Sequence, residues 1–186
     1  MNSVIEQMHR PLRCLCAGAF AMCIAAGAYA AGESDYEKGF QAFKSHDLIT
    51  AMQYLEHASS AGHAEAQYLM GFILDNADEN ERAKQYYQQS AEAGSANAAY
   101  ALGVMYSSGD GVERDKAQAL AWYQRALDAG HGPAAETLGL AYIDGLLGLE
   151  QDPDRGIQIL QRAADAGHAP ARQLLQKLAE DPSKKQ

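Results

Sequence analysis

Three histidines recur at one place in a repeated pattern, and histidine is the commonest side-chain ligand for metals. His63, His131 and His168 each follow an Ala-Gly pair. If the repeats stack as helical hairpins, equivalent positions lie about 10 Å apart, because packed helices are separated by about 8–10 Å. Zinc needs all of its ligands about 2 Å from one point, so two of these imidazoles could share an ion but three could not converge. We therefore predict no metal site and expect each histidine to be exposed just beyond a helix end.

Other segments also invite a chemical interpretation. The glycine-rich turn at residues 109–115 lacks the Lys-Ser/Thr pair of a P-loop and the alternating oxygen ligands of an EF-hand. The chain has no G-x-S-x-G motif and no Ser-His-Asp arrangement suited to nucleophilic catalysis. Tyr86-Tyr87 and Trp122-Tyr123 could form an aromatic cage, but their positions are more typical of side chains packed between helices. We predict no catalytic residue and no cofactor.

The elements that would position any site come from an internal repeat. Four Ala-Gly pairs lie 32, 36 and 37 residues apart, beginning at residues 61, 93, 129 and 166. Periods of this length are typical of stacked helical hairpins, each of which buries its apolar face only against its neighbours. The sequence therefore predicts an all-α fold with an extended surface suited to interactions.

The best-formed repeat covers residues 96–130. Apolar residues at helical spacing predict its first helix, and Gly109 begins the turn that ends it. Asp115 is placed to cap the second helix, and Gly130 suits the left-handed residue that follows that helix. In the next repeat, Asp152-Pro153 predicts a helix start, because proline at the first helical position lacks only an N–H that the helix does not use.

A glycine recurs inside the first helix of successive repeats, at Gly71, Gly103 and Gly139. Glycine inside a helix costs about 1 kcal/mol relative to alanine, so its repetition needs a compensating gain. We predict that the missing side chains let the two helices of each hairpin approach closely, with Tyr106 or Tyr142 covering the junction.

These residues resemble a known family, the Sel-one-like repeats, which are relatives of the tetratricopeptide repeat. The pattern is A-x-x-x-L-G-x-x-Y, then G-x-G-V-x-x-D, then A-x-x-W-Y-x-x-A-x-x-A-G, and the resemblance extends over residues 35–180. Residues 64–94 depart from it by lacking the glycine turn and the tyrosine, and Ile159-Leu160 replaces Trp-Tyr. The resemblance implies a right-handed superhelical solenoid that acts as an adaptor, often in bacterial envelope assemblies and signalling. The closest match consists of Ala98, Leu102, Gly103, Tyr106, Gly109, Gly111, Val112, Asp115, Ala119, Trp122, Tyr123, Ala126, Ala129 and Gly130.

We accordingly predict a right-handed helical-hairpin solenoid of about four repeat units over residues 31–180. Residues 169–180 should form a C-terminal capping helix, because Gln176 and Lys177 place polar side chains on what would be its outward face. Residues 181–186 contain no apolar side chain and are predicted to be a disordered tail.

The first thirty residues have the features of a signal peptide. Arg10 and Arg13 form a basic region, residues 14–30 carry no charge, and Ala28-Tyr29-Ala30 matches an A-x-A cleavage site. The alternative is a retained membrane anchor, for which seventeen residues lie at the lower limit of a spanning helix. We expect a cleaved signal on residues 1–30, a periplasmic or secreted location and no stable membrane insertion after cleavage.

The mature chain would be acidic and free of cysteine. Cys14, Cys16 and Cys23 all lie in the predicted signal, so thiol chemistry and disulfides are excluded after cleavage. Because two arginines and one glutamate leave with the signal, the net charge changes from −9 to −10. Nucleic acids and anionic membranes bind clustered Lys and Arg, so we expect neither as a partner.

One set of residues indicates a binding surface, which we call the inner stripe. The residue three before and the residue one after each repeat glycine should face the inner side of the superhelix, where tetratricopeptide relatives bind peptides. Exposed aromatics in a row suit a segment of a partner protein, although the same side chains could instead pack between adjacent first helices. The inner stripe consists of Tyr36, Phe40, Tyr68, Phe72, Tyr100, Val104, Glu136 and Leu140.

The sequence therefore favours a non-enzymatic, monomeric periplasmic scaffold that binds a protein or peptide segment on its concave face. One alternative is a secreted hydrolase of the β-lactamase-associated Sel-one-like type. Those relatives are rich in paired cysteines, which the mature chain would lack. The other alternative is a structural component of a cell-wall or polysaccharide export complex.

Overall fold

A computed structural model describes residues 32–180, and this part of the chain contains nine α-helices and no strand. The predicted signal peptide (1–30) and the predicted tail (181–186) lie outside the described residues. The chain divides into two compact units, Met1–His63 and Ala64–Gln186. The helices are α1 (described over residues 32–44), α2 Leu48–Ser60, α3 Ala64–Asp75, α4 Asn80–Glu92, α5 Ala96–Ser108, α6 Lys116–Asp128, α7 Gly132–Asp144, α8 Pro153–Asp165 and α9 Ala169–Glu180.

The first unit contains one helical hairpin, α1 and α2. Ala51, Leu55 and Ala58 lie on one face of α2 and are fully buried. A Cβ placed on Gly39 of α1 would lie 2.8 Å from Cγ of Leu55, so this glycine is where the leucine packs against α1. Asp47 begins α2 as its N-cap and accepts a hydrogen bond from the backbone N–H of Thr50 at 3.1 Å.

The second unit is a helical-repeat solenoid. Its three hairpins are α3/α4, α5/α6 and α7/α8, and each second helix also packs on the first helix of the next repeat. The fully buried side chains Tyr87, Leu102, Leu138 and Leu160 come from four different helices. Four hairpins and a ninth helix confirm the predicted all-α architecture.

Helix ends lie where the sequence pattern predicts them. The Asp115 carboxylate accepts hydrogen bonds from the N–H groups of Ala117 and Gln118 at 2.9 and 3.0 Å, and α6 begins at Lys116. Asp152 caps α8 in the same way, with Pro153 at its first position. Gly109 and Gly130 take the left-handed conformation, with φ of 85° and 81°.

The repeated helix glycines do allow close approach, but a different side chain fills the space. A Cβ on Gly103 would lie 2.5 Å from Cδ1 of Tyr123, and one on Gly71 would lie 2.6 Å from Cδ1 of Tyr87. In the last hairpin, a Cβ on Gly139 would lie 2.7 Å from Cγ of Leu160. The side chain that fills the space at each glycine comes from the second helix of the hairpin. Tyr106, which we predicted to cover the junction, packs beside it against the cluster that contains Ala119 and Tyr123.

The last helix has one apolar and one polar face. Leu174, Leu175 and Leu178 pack against the cluster that contains Ile143 and Leu160. Gln176 and Lys177 are exposed, as expected of a capping helix.

Over residues 32–180, no helix is both long enough and apolar enough to cross a membrane.

Candidate protein-binding groove

In the first unit, the inner stripe consists of two stacked aromatic rings. The rings of Tyr36 and Phe40 lie 5.9 Å apart at an interplanar angle of 15°. Tyr36 also stacks on His63 with ring centroids 4.3 Å apart, and Nε2 of His63 lies 3.1 Å from a carboxylate oxygen of Glu33. Both aromatic side chains are half-buried. Their role in binding stays a prediction.

In the second unit, four members of the inner stripe line one open groove of about 240 Å³, which we call the α3–α5 groove. Tyr68 and Phe72 come from α3, and Tyr100 and Val104 come from α5. Phe72 and Val104 are 39% and 41% exposed, two of the six large apolar side chains that are exposed among residues 32–180. The groove is lined by Tyr68, Phe72, Asp75, Tyr87, Asn97, Tyr100, Ala101, Val104, Met105, Ser108, Asp110 and His131.

The two tyrosines of the inner stripe that line the groove are held by internal contacts. Tyr68 lies 6.0 Å from the ring of Tyr87, and Tyr100 lies 5.4 Å from the ring of Tyr123. Burial raises the pKa of Tyr68, with a further contribution from the negative charge of Glu65. Each tyrosine therefore has one side packed on the second helix of its own hairpin while it still lines the groove. These ring contacts lie within a hairpin, whereas the alternative for the inner stripe is packing between adjacent first helices.

The last two members of the inner stripe lie elsewhere. Glu136 and Leu140 are on α7 and do not line the α3–α5 groove. Oε1 of Glu136 lies 2.5 Å from Nε2 of His168, so this carboxylate is already paired within the chain. The structure thus brings together four of the six inner-stripe residues of this unit.

The repeated histidines are not exposed residues beyond a helix end, and that expectation is wrong. Each lies at a repeat junction and packs on the first helix of the preceding repeat. His131 stacks on Tyr100 at 4.7 Å, and its Nδ1 accepts the N–H of Ala134 at the start of α7. Burial lowers the pKa of His131, and the nearby charge of His168 lowers it further. His131 therefore caps α7 and joins it to α5 of the preceding repeat, which the period alone does not reveal.

Two carboxylates in the groove have no counterpart in our sequence-based prediction. Oδ2 of Asp75 accepts a hydrogen bond from the Tyr87 hydroxyl at 3.2 Å, and Oδ1 of Asp110 accepts one from Nδ2 of Asn80 at 2.6 Å. Burial raises the pKa of Asp75. The Tyr87 hydrogen bond lowers it in part, whereas the negative charges of Asp110 and Asp78 raise it further. Asp75 and Asp110 occupy the turns of two different repeats, and only the fold brings them to one groove.

Replacing Asp75 with asparagine is expected to raise the melting temperature at pH 7. Asparagine keeps an oxygen for the Tyr87 hydroxyl and removes the unfavourable charge. Because the folded-state pKa of Asp75 lies above the ordinary value of 3.8, the folded protein holds this proton more tightly than the unfolded chain does. The stability that Asp75 contributes therefore falls as pH rises through that window.

Thermal melts of Asp75→Asn and the unsubstituted protein across pH test this prediction. The gain is expected at neutral pH and should vanish well below pH 3.8, where Asp75 is protonated in both states. Glu150→Gln is the matched control. Glu150 is exposed in the loop between α7 and α8 and is not among the charges that shift the pKa of Asp75. A lower melting temperature for Asp75→Asn at pH 7 would contradict the argument.

Two other candidate sites, a metal site and a second groove, have less support than the α3–α5 groove. Within residues 32–180, no group of three or more His, Cys, Asp or Glu side chains is placed to hold a metal ion. A larger groove of about 930 Å³ lies between α6 and α8, lined by both Arg155 and Arg162 and by Asp128, Asp152 and Asp154. Its mixed charges indicate no particular ligand.

Comparison with known families supports the resemblance drawn from the sequence. The Sel1 repeat matches residues 25–63, 64–95, 96–131 and 133–168, which together make up most of the chain. These four segments coincide with the four hairpins, so the Sel-one-like resemblance is confirmed. No curated protein matches the sequence.

Two solved structures show the same architecture. One is a protective antigen present in uropathogenic Escherichia coli strains that displays an SLR fold, with 28% identity and a TM-score of 0.68. The match covers 75% of this chain but only 32% of that protein. The other is a Sel1 repeat protein from Oxalobacter formigenes, with 25% identity, a TM-score of 0.69, and coverage of 85% of this chain and 68% of the other.

Proposed function

Because this chain belongs to the Sel1 repeat family, whose members generally mediate protein–protein interactions, we propose that it is a non-enzymatic adaptor that binds a segment of a partner protein in the α3–α5 groove. The observation that carries the proposal is the position of Phe72 and Val104. Both are large apolar side chains, both are about two-fifths exposed, and both line the same groove. Such exposure in an otherwise well-packed repeat is typical of a surface that is covered by a partner.

The groove has the form expected of a peptide-binding surface. Tyr68 and Tyr100 are braced by Tyr87 and Tyr123, so they present rigid aromatic area at little entropic cost. The volume of about 240 Å³ is below the roughly 300–1,000 Å³ of sites that enclose small molecules. It suits one or two side chains of a longer segment that continues over the surface.

Photocrosslinking tests this proposal in the native host. A photoreactive phenylalanine analogue at Phe72 should give a discrete adduct with a partner protein. The control position is Ile157 of α8, which is 40% exposed against 39% for Phe72 but does not line the groove. The expected adduct forms at Phe72 and not at Ile157. Equal crosslinking at the two positions, or none at Phe72, would refute the assignment of the groove.

We also propose that the protein acts in the periplasm after removal of residues 1–30. The basic region, the uncharged stretch and the A-x-A sequence support this location. The protein recovered for the crosslinking experiment provides the test, because its N-terminal sequence should begin at Ala31. Recovery of Met1 would show that the segment is retained.

A further inference from the structure

The charges that line the α3–α5 groove are of one sign. Asp75 and Asp110 lie at the C-terminal ends of α3 and α5, and no lysine or arginine lines the groove. The one histidine of the groove, His131, has a lowered pKa, because burial and the charge of His168 disfavour its cationic form. The C-terminal end of a helix carries partial negative charge from its free carbonyl groups, which adds to the charge of the carboxylates. This end of the groove is therefore electronegative.

These carboxylates differ from those of three other acidic residues among residues 32–180. Glu33 and Glu136 each face a histidine, and Glu79 pairs with Arg82. Within the described residues, by contrast, neither Asp75 nor Asp110 forms an ion pair, and each accepts one hydrogen bond from a neutral donor. Asp75 is half-buried, and a half-buried carboxylate without a counterion is unfavourable in the free protein, whereas Asp110 is exposed and adds its negative charge nearby. A cation from a bound partner would remove that cost.

The aromatic walls of the groove suit the apolar stem of a basic side chain whose charged end would lie at these carboxylates. The rings of Tyr68 and Phe72 lie 6.5 Å apart, and Tyr100 stands on the facing helix. Aromatic faces attract ammonium and guanidinium groups. Long basic side chains also lay their methylene stems on apolar surface while the charged end reaches a polar group.

We propose that the partner segment carries a lysine or arginine flanked by apolar residues, with its stem on the aromatic walls and its charged end on Asp75 and Asp110. This inference rests on the proposed function and specifies the chemistry of the partner. A neutral apolar segment would cover the aromatic walls but would leave both carboxylates desolvated and unpaired, which binding would then have to offset.

Selection from a library of displayed random peptides tests the inference with the purified full chain. Peptides enriched on the unsubstituted protein should lose binding to Phe72→Ala and should share a basic residue beside aromatic or aliphatic residues. Their affinity for Asp75→Asn should fall about tenfold, a change that corresponds to about 1.4 kcal/mol. Glu150→Gln removes one negative charge at an exposed position outside the groove and should bind as the unsubstituted protein does.

A change on the peptide side makes the test independent of the folding of any variant. Replacing the selected basic residue with methionine keeps the apolar stem and removes the charge. This change should weaken binding to the unsubstituted protein about tenfold but should have little effect on Asp75→Asn, because the two changes remove the same interaction.

The possible results separate the two proposals. Peptides that depend on Phe72 but show no shared basic residue, or that bind Asp75→Asn unchanged, would overturn this inference and leave the proposed groove intact. If no selected peptide depends on Phe72, the proposed function itself is wrong and the inference is wrong with it.

Discussion

Replacing Gly103 with leucine is expected to lower the free energy of unfolding by about 3 kcal/mol or more. A Cβ added at this position would lie 2.5 Å from Cδ1 and 2.6 Å from Cε1 of Tyr123, which is closer than real side-chain atoms pack. The Tyr123 ring is buried, and its hydroxyl lies 3.2 Å from that of Ser107, so the ring cannot move away without losing other contacts. The α5/α6 hairpin must therefore open to admit the leucine.

Gly103→Ala separates packing from helix propensity. On an exposed helix, alanine in place of glycine would stabilise by about 1 kcal/mol, whereas here we expect destabilisation. Val104→Ala, at the adjacent exposed position, is the control and should have little effect on stability. In a Tyr123→Ala background, which removes the obstructing ring, Gly103→Ala should no longer destabilise. Chemical denaturation of the unsubstituted protein, Gly103→Ala, Tyr123→Ala and the double variant measures the coupling between the two positions. An unchanged denaturation midpoint for Gly103→Leu would contradict the packing account.

Alanine substitutions at Phe72 and Tyr100 are expected to weaken partner binding alike but to differ in their effect on stability. Phe72→Ala should weaken partner binding about thirtyfold, the effect of losing about 2 kcal/mol at an interface hot spot. Its effect on stability should stay below about 1 kcal/mol, because Phe72 is 39% exposed. Tyr100→Ala should weaken binding similarly and should also destabilise by about 2 kcal/mol, since its ring contacts both Tyr123 and His131.

The melting temperature and the affinity for the crosslinked partner, measured on the same two variants, test this split. Ile157→Ala is again the control, with matched exposure outside the groove. If Phe72→Ala and Tyr100→Ala both lost stability equally, the inner stripe would be core packing rather than a binding surface. If both variants stayed folded and bound normally, the partner would have to occupy another surface.

Much of the fold could be predicted from the sequence because the signals are local. The recurrence of Ala-Gly pairs predicts hairpins, and Asp115 and Asp152 predict helix starts from the residues beside them. The site was predicted only in part. Tyr68, Phe72, Tyr100 and Val104 share a groove as their equivalent positions suggest, but Glu136 pairs with His168 instead.

The all-α class, the number of repeats and the helix ends follow from the amino-acid sequence, because each depends on periodicity or on a few adjacent residues. Which side chain fills the space at each glycine, and which charges remain unpaired, depends on how the helices pack. Tyr123 over Gly103, and Asp75 near Asp110, are relations between separate helices and turns. They depend on crossing geometry between packed elements, which no local pattern encodes.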